Sequence, residues 1–240
     1  MTRTFRRIAA AALTMTAAVA LAGCGDSDKS GGASSKADAA ADPKTVSSIT
    51  PDDSLVEDLG DDASTALEAG CSVGSFDEQE AEHTAVGSIA RKDWNSFPPT
   101  SGPHYENWAP YGTYDELLDD GFVLHNLEHG GVAVWYGDNV SDELVKLIDE
   151  QIDDGEKWLL MPRPGLDGIA SSSWTKLMHC SNDALTKLDD EAAAAEFVGA
   201  WFDAVQSTGS EAEKDVPAYA GGMESPKPVR DVSTEAPTFG

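Results

Sequence analysis

The chain has 240 residues and a formal net charge of −27, with 16 lysines and arginines against 43 aspartates and glutamates. So large an excess of carboxylate leaves nothing to neutralise phosphate, which excludes nucleic acid and anionic lipid headgroups as partners. The same negative field attracts cations and keeps the chain soluble.

The first residues carry Arg3, Arg6 and Arg7, then an apolar run from Ile8 to Ala20, interrupted by two threonines. This is the n-region and short h-region of an export signal, too short for a full membrane span. Leu21-Ala22-Gly23-Cys24 looks like a bacterial lipobox, so residues 1–23 are expected to be a lipoprotein signal peptide and Cys24 to take a diacylglycerol anchor. Cleavage there removes three arginines and no acid, which takes the mature chain to −30. The expected location is extracytoplasmic, lipid-anchored to the bacterial cell membrane, because several acyl chains hold a protein stably where one does not. Export leaves Cys71 and Cys180 in an oxidising compartment, where pairing is the leading expectation; inert thiols and a metal thiolate are the alternatives.

Residues 24–50 are dominated by Gly, Ser, Ala, Asp and Lys and read as a disordered tether. Residues 51–70 read as a weak helical lead-in, 71–207 as one globular domain, and 208–240 as a disordered acidic tail. Inside the domain, Gly131–Tyr136 is β-branched and aromatic, as strands are. Ser141 is a plausible N-cap, and Leu144, Val145, Leu147, Ile148 and Ile152 keep helical spacing up to Gly155. Lys157–Pro162 reads as a second strand, so strand–helix–strand predicts a right-handed crossover between parallel strands. Ser171–Cys180 alternates and reads as a third strand; Phe197, Trp201, Ala204 and Val205 mark the apolar face of a closing helix. The fold class is α+β, or small α/β: a short mixed sheet with a β-α-β crossover and helices packed on it.

The runs "NSFPPTSGPHY" (Asn95–Tyr105) and "LHNLEHGGVAVWY" (Leu124–Tyr136), with "WAPYGTYDE" between them, are similar to the domain-of-unknown-function 3105 family of bacterial secreted or membrane-tethered proteins. The resemblance covers roughly Cys71 to Gly209. It implies a histidine upstream of the first motif and cysteines near both domain ends, positions that His83, Cys71 and Cys180 fit. His179 matches no family position. The family carries no assigned function, so the resemblance supports the domain and leaves the mechanism open.

His125 and His129 stand four apart, so on a helix they share a face and can share a metal ion. His104, in a segment stiffened by Pro98, Pro99 and Pro103, and His83 are the further candidate ligands. Imidazoles without thiolate suit Cu(II) or Zn(II) outside the cell. Two other readings stay open. In one, the histidines are buried and hydrogen-bonded in a structural or interaction lipoprotein, with His125 on a backbone carbonyl and Glu128 accepting from the region of Thr100 or Ser101. A cis bond at Pro98-Pro99 or Gly102-Pro103 would fit that polar core. In the other, the order His-Asn-Leu-Glu-His matches the inverted zinc-protease motif, with Glu128 as catalytic base toward a metal-bound water. The downstream ligand such a hydrolase needs would have to be Glu191 or Glu196, and Gly130-Gly131 ends the helix at once. Trp94, Trp108, Tyr111 and Tyr114 could instead present a peptide- or glycan-binding surface. No phosphate loop, Gly-x-Ser-x-Gly elbow or Cys-x-x-Cys pair occurs.

Overall fold

Gly131–Tyr136 and Lys157–Pro162 read as apolar runs rather than alternations because both faces of the sheet they build are covered. The computed structural model describes residues 46–60, 63–152, 156–206, 208–210 and 229–231, all within one unit, Ala40–Gly240. The export signal, Cys24 and the tether up to residue 45 lie outside the described residues.

The helices are α1 (Asp53–Leu59), α2 (Ser64–Ala69), α3 (Asp120–Glu128), α4 (Asp142–Gln151), α5 (Asn182–Leu185) and α6 (Glu191–Val205). The strands are β1 (Ser72–Ser75), β2 (His83–Thr84), β3 (His104–Tyr105), β4 (Gly112–Thr113), β5 (Val132–Tyr136), β6 (Trp158–Pro162), β7 (Ile169–Ser173), β8 (Lys176–Cys180) and β9 (Arg230–Asp231). The main sheet has the order β1-β8-β7-β5-β6-β4-β9. β5 and β6 pair in parallel across α4, from Val132 opposite Trp158 to Tyr136 opposite Pro162. β4 is also parallel to β6, whereas β7, β8 and β1 add on antiparallel. A second, two-stranded parallel sheet joins β2 to β3 and sets His83 opposite His104.

Ser141 caps α4, its side chain accepting from the Leu144 N–H. Asp190 caps α6 in the same way at Ala193, and Phe197, Trp201 and Val205 are buried there, with Ala204 half-buried. α4 and α6 pack on each other, and the Trp201 indole N–H of α6 donates to the Ser171 hydroxyl of β7; Trp135, Trp158 and Trp201 are the largest fully buried side chains among the described residues.

Residues 171–180 are not one strand. β7 and β8 form a hairpin that reverses at Trp174 and Thr175, with Ser173 opposite Lys176. Alternation runs through the reversal without a break, and the turn lacks the Asn-Gly or Asp-Gly pair that announces one. Thr175 takes the left-handed φ of 65°. Its N–H donates to the Thr100 carbonyl and its own carbonyl accepts from the Phe76 N–H.

Cys71 and Cys180 form a disulfide. β1 pairs with β8 so that Ser72 faces His179, and the two cysteines are the next pair along that ladder. In the lead-in, α1 and α2 bury Leu55, Leu59, Ala66 and Ala69 in the common core. Beyond residue 207, Ser210 donates its N–H to the Glu128 carbonyl, and β9 pairs along β4. Arg230 of β9 reaches the Asp149 carboxylate at 2.9 Å. Among the described residues no helix is long and apolar enough to cross a membrane.

Candidate metal centre

α3 is buried nearly all round: Val123, Leu124, His125, Asn126, Leu127 and Glu128 are all in the interior. A helix so placed has no solvent face to display, so its polar side chains must find partners inside. Its start is set by the Asp119 side chain, which accepts from the Gly121 N–H, and by an ion pair of the half-buried Asp120 with the buried Arg163. Burial raises the Asp120 carboxyl despite the guanidinium beside it. At the other end, Gly130 takes φ of 78°. Its N–H donates to the Leu127 carbonyl, and the Gly131 N–H donates to the Asn126 carbonyl. That double bond is a Schellman stop, and it explains the glycine pair after His129.

Helical spacing stacks His125 on His129, with ring centroids 4.9 Å apart. The parallel β2–β3 ladder places the His83 and His104 rings 4.8 Å apart, and both lie 5.0 Å from His125. The cluster therefore gathers three chain segments. His104 is 0% exposed, Glu128 3%, His129 4% and His125 5%. The His83 side chain, at 46%, is the one ring of the four that meets solvent.

The hydrogen bonds assign most of the protons. His104 has Nδ1 2.9 Å from the Gly102 carbonyl and Nε2 2.9 Å from Glu128 Oε2. Both ring nitrogens of His104 are thus engaged, one by the Gly102 carbonyl and one by the Glu128 carboxyl. For Glu128 burial is the largest influence and opposes ionisation. The His104 hydrogen bond, first, and the electrostatic influence of the surrounding imidazoles outweigh it and hold the carboxyl below its ordinary value. His125 Nδ1 lies 2.7 Å from the Tyr105 carbonyl and donates to it. Burial, chiefly, lowers the His125 pKa from 6.5 to about 4, with the Tyr105 bond opposing and the neighbouring imidazoles adding to the fall. At neutral pH, then, His125 is uncharged and its unprotonated Nε2 can only accept. It accepts from His129 Nε2 at 3.0 Å, a contact that a shared metal ion would replace. Two ligands at ~2.0–2.1 Å from one ion, at angles from square to tetrahedral, stand ~2.9–3.4 Å apart.

Two donor sets follow: His83, His104 and His125, and His125, Glu128 and His129. Within each, donor atoms lie within 4.8 Å of one another, and His125 belongs to both. Either set could hold a metal ion; the second does so without breaking the His104–Glu128 pair, which would then orient a ligating carboxylate as outer-sphere partners do. Trp108 closes the wall, edge-on to His125 at 5.2 Å and to His129 at 5.5 Å.

A match to the family described as "Protein of unknown function (DUF3105)" spans residues 87–211. The chain belongs to the DUF3105 family. No curated protein and no solved structure matches it. Within the DUF3105 span lie His104, His125, Glu128, His129 and Cys180, whereas Cys71 and His83 stand before it.

The remaining sequence candidates fall elsewhere. His179 bonds the Asp167 carbonyl from β8. Glu191 accepts from the Ser141 hydroxyl and Glu196 is exposed on α6, so neither joins the cluster. Trp108, Tyr111 and Tyr114 are buried and Trp94 half-buried, so they offer no open aromatic surface. Glu128 accepts from His104 rather than from Thr100 or Ser101, whose side chains bond Ser96 and the Gln79 N–H. The cis bond is Phe97–Pro98, one bond before the expected pair. Sequence reasoning missed Asn126 and the Tyr105 carbonyl. The Asn126 side chain takes both the N–H and the carbonyl of Ala109, which fixes the loop that carries Trp108. Its place between His125 and Glu128 on a fully buried helix was the available signal.

Proposed function

We propose that this DUF3105 domain is an extracytoplasmic transition-metal-binding module, held to the membrane by lipid on Cys24, that takes Zn(II) or Cu(II) on His125, His129 and Glu128. His104 orients Glu128, and Tyr105 orients His125. The carrying observation is the unprotonated Nε2 of His125, aimed by the Tyr105 carbonyl and hydrogen-bonded to His129 Nε2 at 3.0 Å, a separation that one shared ion would span. Two imidazoles and a carboxylate suit these ions, and a closed cradle with few exposed donors suits storage, delivery or sensing more than turnover. The Cys71–Cys180 disulfide supports an oxidising compartment.

The test is metal content after native purification without an affinity tag, then titration with Zn(II) and Cu(II). One ion per chain, lost in the His125→Ala/His129→Ala double variant, is the expected result; a stoichiometry near zero after incubation with either ion refutes it. That refutation would return the site to a structural role, a reading favoured by one specific observation: both His104 nitrogens are already satisfied. The hydrolase reading, with Glu128 as general base, has weaker support, since Glu128 is buried against His104. Glu128→Gln separates it: a variant that keeps its metal but loses a hydrolytic activity shown by the metal-loaded wild type would establish it, and absence of any such activity in the wild type removes it.

A further inference from the structure

His83 stands apart from the rest of the cluster. Its side chain is 46% exposed, against 4% for Glu128. It sits on β2, a two-residue strand outside the main sheet. β2 is fastened to its neighbour by the short parallel ladder, which includes the His104 N–H to the Glu82 carbonyl at 2.9 Å, and by the Thr84 hydroxyl to the His104 carbonyl at 3.2 Å. Yet the ring stacks on His125 at 5.0 Å with an interplanar angle of 10°, and its Nε2 lies 3.6 Å from Glu128 Oε2. An exposed imidazole thus touches two of the three buried donors. Glu80 and Glu82 are exposed beside it, which raises the local concentration of cations.

From this geometry we infer that His83 is the port of the metal centre: it captures a divalent ion from solvent and passes it inward by ligand exchange. The inference rests on the metal-binding reading above and adds the route. The ion first bonds His83 Nε2, then His125 Nε2 and the Glu128 carboxylate. As the bond to His129 Nε2 forms, the bond to His83 breaks. His125 and Glu128 hold the ion throughout, no electron is transferred, and any proton on His129 Nε2 leaves to solvent. The shared His125 makes this hand-over possible without releasing the ion.

Co(II) alone, followed by its visible absorption in stopped flow, tests the route on the full mature chain. In His83→Ala, uptake slows by tenfold or more, and release into excess chelator slows as well, because a port serves both directions. A permanent ligand behaves oppositely: its loss speeds release, and that result overturns the inference. His83→Asp, which restores a donor atom at the port, recovers most of the uptake rate; slowing equal to His83→Ala would make the effect steric and also overturn it. His179→Ala, an imidazole distant from the site, leaves the rate unchanged, and a slowing there equal to that of His83→Ala would reduce the effect to general surface capture. Wild-type protein that takes up no Co(II) removes the binding reading and this one with it. Wild-type uptake with His83→Ala at an unaltered rate removes this inference alone.

Discussion

Acidification of the metal-free protein should unload a defined amount of stability through one residue. His125 is 5% exposed, and burial takes its pKa from 6.5 to about 4. A histidine whose folded pKa is depressed favours the unfolded chain when protonated. Its contribution is therefore complete above the unfolded value and is lost as the pH falls from 6.5 toward 4. The shift corresponds to about 3 kcal/mol, a large share of the ~5–15 kcal/mol that holds a domain together. Glu128 acts in the same direction but lower, since its carboxylate is held below its ordinary value. The comparison that isolates His125 is His125→Asn, whose side-chain amide can still donate to the Tyr105 carbonyl and does not titrate. Urea unfolding of both proteins, stripped of metal, from about pH 7.5 to about pH 4 gives two curves. The difference in unfolding free energy between wild type and variant should move by about 3 kcal/mol against the wild type across that range. A difference that stays constant with pH would show that His125 is not buried neutral, and the unprotonated Nε2 on which the metal site depends would go with it.

Two further outcomes follow from the packing. A Cβ at Gly121 would stand 2.6 Å from the Tyr105 ring. Gly121→Ala should cost ~1–3 kcal/mol by overpacking and, by shifting the carbonyl that aims His125, weaken Zn(II) binding ~10–100-fold; a variant as stable as wild type in urea and equal to it in titration calorimetry would refute this. The disulfide closes a sequence separation of 109 residues. Cys71→Ser/Cys180→Ser should lose roughly 4–5 kcal/mol on the chain-entropy account, and reduction of the wild type should add the mass of two hydrogen atoms; an unchanged mass would refute the bond.

Local chemistry made much of this protein legible from its residues. β5, α4 and β6 could be read because each obeys a short-range rule: a β-branched apolar run, a serine cap followed by helical spacing, and a run ended by proline. The stop after His129 was legible for the same reason, since Gly130 needs a left-handed backbone whatever surrounds it. The β7–β8 hairpin was not, because Thr175 is an unfavourable residue for its own φ and is held there by Thr100 and Phe76, both far away in the chain. The four histidines were named as ligands from their residue type and Glu128 only as a base; its place in a donor set, and the division of labour among the rings, were not legible.

What the sequence alone determined is which side chains carry chemistry and which pieces of chain are regular, because both depend on residues within a turn or two of one another. Only the tertiary structure decided that β2, β3 and α3 meet, that Tyr105 presents a carbonyl to His125, and that His104 spends both nitrogens on Gly102 and Glu128. Apart from the Gly102 bond, two residues away, those facts depend on burial and on partners ~20 or more residues apart, and a buried polar group takes its state from whichever acceptor the fold brings to it.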